Sequence, residues 1–252
     1  MKKMKWTAII LCAALLMGML AGCGGKQAAD DKVLVVATHA TFPPYEYYEN
    51  GKAVGIDIEI MQAVCDKIGY TMEIADMEFG SIITAVATGK ADVGAAAITK
   101  TAERAESVNF TVSYATGIQS VIVKDGGTVA SLDDLSGEKI MIGVQQDTTG
   151  DIYATGKYGE EHMIRYNKGA DAVQALASGK CDAVITDNGP AKVYVELNQG
   201  LSILDTPSET EEYSYEISYD NQVLYDLVNN ALQELLADGT VQQILDKYIK
   251  AE

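Results

Sequence analysis

A nine-residue pattern occurs twice, ninety positions apart, and it limits the fold more than any other feature of the chain. Ala85-Val86-Ala87-Thr88-Gly89-Lys90-Ala91-Asp92-Val93 is echoed by Ala175-Leu176-Ala177-Ser178-Gly179-Lys180-Cys181-Asp182-Ala183. Each copy reads as a helix end, a glycine stop, a lysine and a strand whose first turn carries an aspartate. The plain alternative is coincidence among common small residues. A repeated helix–strand junction implies two similar α/β lobes, each offering polar groups at the carboxyl ends of its strands. Open α/β sheets place their ligands at those ends. At 252 residues and 48% hydrophobic, the chain is long enough for two cores.

The two copies lead into stretches of opposite charge. After the first, an apolar run from Val93 to Ile98 reads as a buried strand ending in Thr99. Thr101 is placed to cap a helix, with Glu103 in its first turn and Arg104 just past the strand's edge. The planar guanidinium fork of an arginine suits a bidentate grip on a carboxylate. On its own, Arg104 reads first as a surface arginine on a helix. After the second copy the strand leads to Thr186 and Asp187. If the lobes face each other, Arg104 and Asp187 flank one cleft, a cation and an anion complementary to a zwitterion. Residues 143–150 add a strand, a turn with two threonines and a helix start. Free backbone N–H groups there suit a carboxylate or phosphate. No Gly-Lys-Ser/Thr comes after them, so this is not a Walker A loop.

Along the rest of the chain, residues 33–37 read as a strand and 45–54 as a hairpin turning at Asn50-Gly51 in type I′ geometry. Residues 58–68 read as a helix stopped by Gly69, 72–74 as a strand, and 81–88 as a helix capped by Ser81. Further strands are expected at 120–123, 139–144 and 183–186, with helices after Gly150, at 171–177 and from Pro190. A β-rich stretch at 213–219 precedes the longest helix, 222–237, and a short one at 241–249.

Lys2, Lys3 and Lys5 precede an uncharged apolar run from Trp6 to Leu20, too short to span a bilayer. It reads as a signal peptide. Leu20-Ala21-Gly22-Cys23 resembles the bacterial lipobox, whose cysteine is lipidated and becomes the first mature residue. An uncleaved anchor is the alternative. Two or more acyl chains on Cys23 would hold the protein stably at a membrane. The formal charge of −17 falls by a further three once the leader lysines are removed. It argues against nucleic acid and against an electrostatic hold on anionic lipid. Outside the leader only Cys65 and Cys181 remain, read as small buried apolar residues with a disulfide open by count. With two histidines and no Cys/His cluster, no metal site is expected.

From residue 33 to about 248 the chain resembles the polar amino-acid family of bacterial ABC-transporter substrate-binding proteins, the family 3 solute-binding proteins. The motifs are Thr38-His39-Ala40-Thr41-Phe42-Pro43-Pro44-Tyr45, Gly55-Ile56-Asp57-Ile58, and the stretches 98–104, 143–150 and 181–187. The resemblance implies an α/β, two-lobed periplasmic-binding-protein type II fold, each lobe a mixed sheet flanked by helices, joined by two hinge strands near 114–118 and 212–215. It divides the chain into a signal peptide with lipobox (1–22), a lipid-anchor tether (23–31), a first lobe (32–115), a second lobe (116–212) and a return to the first (213–252). In the family's roles, Arg104 with Thr99 and Thr149 holds a ligand α-carboxylate. Asp187 and the Ala97 carbonyl take the α-ammonium. Phe42 and Phe79 sandwich the side chain, and His39 and Gln145 read its polar end.

The sequence departs from the family at three of these positions. His39 stands where an acid or Asn is frequent, which weakens the case for lysine or arginine, although Glu78 lies beside Phe79. Ala97 stands where Gly or Ser is common. Asp147 stands where Gly is common and argues against an acidic ligand side chain. The implied function is an extracytoplasmic receptor, anchored through Cys23, that closes on a free L-amino acid and hands it to an ABC permease and its ATPase subunits. Neutral polar, aromatic or sulfur-containing side chains are favoured, the protein is expected to be a monomer, and no cofactor or catalytic residue is implied. Two alternatives share the scaffold. One is a cyclohexadienyl or arogenate dehydratase with Asp187 or Glu78 as general acid. The other is a sensor-associated ligand-binding domain, disfavoured because no transmembrane run comes after the last helix.

Overall fold

The computed structural model describes residues 32–204 and 210–249. The expected signal peptide, lipobox, Cys23 and tether lie outside the described residues.

The chain opens with β1 (Val33–Thr38), whose Leu34 and Val36 are buried. A small three-stranded sheet comes next, made of β2 (Thr41–Phe42), β3 (Glu46–Glu49) and β4 (Lys52–Val54). Its turn carries Asn50 at φ 50° and Gly51 at φ 77°, the positive pair that a type I′ turn demands. Gly55 has φ 123°, and a Cβ there would lie 2.3 Å from the Tyr45 carbonyl oxygen, so no other residue fits. Helix α1 (Ile56–Ile68) buries Ile56, Ile60, Met61 and Val64 at helical spacing and stops at left-handed Gly69.

Strand β5 (Thr71–Asp76) pairs in parallel with β1 over six residues, from Val33↔Thr71 to Thr38↔Asp76. Helix α2 (Ile82–Ala87) is entered through a 3-10 turn at Phe79–Ser81, and the Ser81 side chain makes no capping bond. The expected cap is absent because Ser81 is already in the turn, with helical φ and ψ. Strand β6 (Val93–Gly94) is shorter than the apolar run suggests, because the backbone leaves the ladder after the Ala95 N–H has bonded Ala37 O. Strand β7 (Asn109–Phe110) completes this part.

The long strand β8 (Ala115–Lys124) then carries the chain into a second sheet. That sheet and its covering helices are built from β9 (Ile142–Gln145), α3 (Thr149–Tyr158), β10 (Met163–Tyr166), α4 (Gly169–Ala177), β11 (Ala183–Asp187), α5 (Asn188–Leu197) and β12 (Leu201–Leu204). Strand β13 (Thr210–Tyr213) returns antiparallel to β8, with Glu211 opposite Gly117. Strand β14 (Glu216–Ile217) re-enters the first sheet, and α6 (Gln222–Ala237) and α7 (Thr240–Tyr248) cover it.

Strand order is β5-β1-β6-β14-β7 in the first sheet and β10-β9-β11-β8-β12 in the second. In each, three parallel strands meet an antiparallel one, and apolar clusters lie on both faces. This is the two-lobed α/β architecture that the echo implies.

The echo is also matched bond for bond. Gly89 and Gly179 sit at φ 71° and 73°. The Lys90 N–H donates to Ala85 O and the Lys180 N–H to Ala175 O, both at 2.8 Å. The Asp92 carboxylate accepts from Val35 N–H at 2.8 Å, and the Asp182 carboxylate from Met141 N–H at 2.9 Å. Each aspartate thus staples its strand to the neighbour in its own sheet. Cys65 and Cys181 are free and buried in separate apolar clusters, so no disulfide joins them.

Candidate functional site

The carboxyl ends of β6 and β11 and the start of α3 meet at a small cavity of about 20 Å³. Arg104, Thr99 and Ala97 line it from the first lobe, and Thr149, Gln145 and Asp187 from the second. Phe42 and Phe79 close its sides.

Arg104 does not open a helix. It lies in a 3-10 turn of three residues, Arg104–Glu106. The apolar Val108 and Phe110 pull the chain into β7 directly afterwards, which leaves no room for a longer helix. Thr101 still acts as a cap, its Oγ1 accepting from the Arg104 N–H at 3.1 Å. The Arg104 side chain is 8% exposed. Nη1 donates to Thr99 O at 2.9 Å and Nη2 to Asp147 O at 3.1 Å, so the guanidinium ties the two lobes together. It also stands 5.4 Å from the centre of the Phe79 ring. Burial lowers its pKa, opposed by the charges of Glu216, Glu211 and Asp187, and an arginine stays charged throughout.

On the second lobe, Thr148 rather than Thr149 caps α3, its Oγ1 accepting from Asp151 N–H at 3.3 Å. Thr149 is thereby the first helical residue, where backbone N–H groups have no partner inside the helix. Asp147 has φ 64°, which explains why a glycine would be at home there. A Cβ added to Gly80 would meet Asp147 Oδ2 at 2.2 Å, so this carboxylate lies against the opposite lobe's backbone.

Asp187 ends β11 and is buried. Gln119 Nε2 donates to its Oδ1 at 2.5 Å and the Tyr213 hydroxyl to its Oδ2. Burial, with the nearby Glu211 charge, pushes the Asp187 carboxyl up to about 7. Ala97 has φ 46°, a conformation that costs a non-glycine residue of the order of 1 kcal/mol. Its N–H donates to Asp57 Oδ2 at 2.8 Å, and Asp57 also accepts from the Tyr114 hydroxyl. Asp57 thus fixes the bend that turns the strand end towards the cavity.

Gln145 lines the cavity, is 5% exposed and leaves Oε1 without a partner. His39 is buried, with Nδ1 unpartnered and its pKa lowered by burial, yet it does not line the cavity. Glu78 precedes the 3-10 turn at Phe79 and is also outside the lining.

Two acids join the site that sequence reasoning misses. Glu46 lines the cavity at 1% exposure with Oε2 unpartnered, and burial holds its pKa well above the usual carboxylate range. The one signal for it is its place in the alternation Tyr45-Glu46-Tyr47, at an inward position of β3. Glu211 accepts at Oε2 from the Thr99 hydroxyl at 2.7 Å and the Thr149 hydroxyl at 2.8 Å. No local pattern marks it, since its place depends on how β13 pairs with β8.

The charges of this arrangement are complementary to a small zwitterion. Its donors are a guanidinium, two hydroxyls and a helix start, and its acceptor is a carboxylate across the cavity. Residues 34–251 match the model of the bacterial extracellular solute-binding proteins, family 3. The arginine-binding extracellular protein ArtP of Bacillus subtilis is 31% identical over 98% of this chain and 99% of its own. An ancestral arginine-binding protein bound to glutamine superposes with a TM-score of 0.81 at 36% identity, covering 87% of this chain and 98% of the other. The arginine-, lysine-, histidine-binding protein ArtJ of Geobacillus stearothermophilus gives 0.82 at 32% identity, covering 88% and 96%. By sequence and fold, the chain belongs to the bacterial extracellular solute-binding proteins, family 3.

Proposed function

We propose that the protein is an extracytoplasmic receptor that closes on a free L-amino acid and delivers it to an ABC importer. The observation that carries the reading is the opposed pair, Arg104 and Asp187, at strand ends of the two lobes around one cavity. Arg104, Thr99 and the N–H of Thr149 hold the α-carboxylate. Asp187 and the Ala97 carbonyl receive the α-ammonium. Phe42, Phe79 and Gln145 face the side chain, with Glu46 beside them. The hinge runs through residues 114–118 and 212–215, and the lobes comprise 32–115 with 213–252, and 116–212. The partners are the permease and its ATPase subunits. The receptor acts as a monomer held to the membrane by a lipid on Cys23, after loss of residues 1–22, with 23–31 as its tether. Binding, not bond-making, is its chemistry. Charge-assisted hydrogen bonds contribute about 1.5–3 kcal/mol each, and a micromolar Kd needs only about −8 kcal/mol.

A thermal-shift screen tests this. The chain from residue 24 is stripped of bound ligand by unfolding and refolding, then offered each of the twenty amino acids and cystine at about 1 mM. A ligand at about 100 times its Kd adds about 2.7 kcal/mol, which raises Tm by about 5–10 °C. One or a few L-amino acids are expected to shift the melt, and their side chains identify what Phe42, Phe79 and Gln145 face. No shift from any of them, in a folded sample, sinks the receptor reading. The dehydratase alternative draws on one observation, an Asp187 carboxyl raised into the range of a general acid. Formation of an aromatic product from prephenate or arogenate would establish it in place of transport.

A further inference from the structure

The donors that the receptor reading gives to a ligand carboxylate already serve a carboxylate of the chain itself. Glu211 reaches in from β13, the strand that returns between the lobes. Its Oε2 takes the Thr99 hydroxyl of one lobe and the Thr149 hydroxyl of the other, at 2.7 and 2.8 Å. Its Oε1 takes Gln119 Nε2 at 3.1 Å, and the same amide nitrogen donates to Asp187. Each threonine hydroxyl carries one proton, so neither can donate to Glu211 and to a ligand carboxylate at once. A ligand carboxylate entering here either loses both hydroxyls or displaces Glu211.

The charge balance points the same way. Among the described residues lining the cavity, Arg104 is the one cation. Glu211 acts electrostatically on both Arg104 and Asp187, and the carboxylates outnumber the guanidinium once Asp187 loses its proton at about pH 7, whereas Glu216, pushed up to about 8, adds its charge only above that. A zwitterion adds one charge of each sign and leaves this excess of acid unchanged. A ligand with one further positive charge offsets it, and a ligand with a further negative charge enlarges it in a site with little water to screen the repulsion.

We propose that Glu211 is a specificity-determining residue, an internal occupant of the carboxylate subsite that selects ligands by net charge and favours amino acids carrying an additional amine or guanidinium. The proposal rests on the amino-acid receptor reading. It sets the excess of acid in the cleft against the preference for neutral side chains that His39 suggests. Glu211→Gln is the natural variant. It keeps the length of the side chain and an oxygen to accept both hydroxyls, removes the charge, and gives up the acceptor that faces Gln119 Nε2.

The test is calorimetric titration of the full chain and of Glu211→Gln with the twenty amino acids and with citrulline, the uncharged isostere of arginine. In the native protein, arginine is expected to bind at least about tenfold more tightly than citrulline, and glutamine at least about tenfold more tightly than glutamate. In Glu211→Gln both ratios shrink by about tenfold, arginine losing affinity relative to citrulline and glutamate gaining affinity relative to glutamine. Glu211→Ala, which also frees the two hydroxyls, should strengthen the neutral amino acids. Unchanged ratios in variants that melt cooperatively overturn the proposal, as does an equal loss for every ligand, which would make Glu211 a structural brace. Failure of every amino acid to bind the native protein overturns the receptor reading itself. Binding to the native protein with no change in preference overturns only the assignment of Glu211.

Discussion

Replacing Arg104 by alanine is expected to weaken amino-acid binding by about 2–5 kcal/mol, from about thirtyfold to several thousandfold. The size comes from where the guanidinium stands. It is 8% exposed and lines the cavity, so a ligand carboxylate deprived of it is left without its cation in a site that water barely enters. The same side chain donates to Thr99 O in one lobe and Asp147 O in the other. Its loss also removes that contact across the cleft. Arg104→Lys separates the two effects. An ammonium restores the charge but not the fork, so it reaches one carbonyl or the ligand, not both. It should recover part of the affinity and leave closure weakened. Titration calorimetry on both variants, with melting curves to show that they fold, decides the matter. Affinity for the screened ligand within about threefold of the native value in Arg104→Ala would remove Arg104 from the carboxylate site.

Features set by neighbours along the chain are legible in the sequence. Asn50-Gly51 dictates its turn because both residues tolerate positive φ. The repeated Gly-Lys-x-Asp fixes the same series of bonds in both lobes because each bond spans a helix end and one adjacent strand. The sixteen residues of α6 come from the length of the apolar period alone. Arg104 stands out in the sequence for the right reason, a polar group at a strand end, but the helix expected there does not form. The capping pattern Thr101-x-Glu103 is local, whereas the turn is ended by the burial of Val108 and Phe110 against distant strands.

The residues that the sequence does not mark owe their place to long-range register. Glu211 enters the cleft because β13 pairs with β8 in the one register that sets it opposite Gly117. There a Cβ at residue 117 would meet the Tyr213 hydroxyl at 1.9 Å, so glycine is needed opposite. A shift by one residue would turn Glu211 away and Glu212 inward. Asp57 supports Ala97 from forty residues away through one hydrogen bond. His39 illustrates the converse. The motif around it points to the pocket wall, yet Phe42 lines the cavity and His39, three residues earlier, is buried outside the lining.

Stability is expected to fall as pH rises from about 5 to 8, by at least about 3 kcal/mol, lowering Tm by about 6–12 °C. Four buried carboxyls set the sign. Burial raises Asp57 and Asp187 from an ordinary 3.8 to about 7, Glu216 from 4.5 to about 8, and Glu46 well above its usual range. In the unfolded chain all four ionise near their ordinary values, about pH 4. Between there and the folded values the native state therefore holds protons that the unfolded state has released, so unfolding becomes easier with each pH step. The contribution is complete below the unfolded values and is lost as pH climbs through the folded values of about 7 and about 8. One proton retained through one pH unit corresponds to about 1.4 kcal/mol, so partial protonation of four groups reaches the stated size. His39 opposes them, since burial lowers its pKa and its share of stability is lost as pH falls through the ordinary value of 6.5. It is one group against four. The formal charge of −17 acts in the same direction as the carboxyls, because protonation relieves self-repulsion. Glu216 offers the sharpest control. Both its carboxylate oxygens are buried without partners, and it shares only an electrostatic pull with Arg104. Glu216→Gln removes one titrating group and should flatten the slope by about a quarter while raising stability at about pH 8. Melting curves without added amino acid, taken across that pH interval, measure both. A Tm that rises with pH would show these carboxyls to be ionised in the folded protein, and with it that the cleft's acids are solvated rather than sealed.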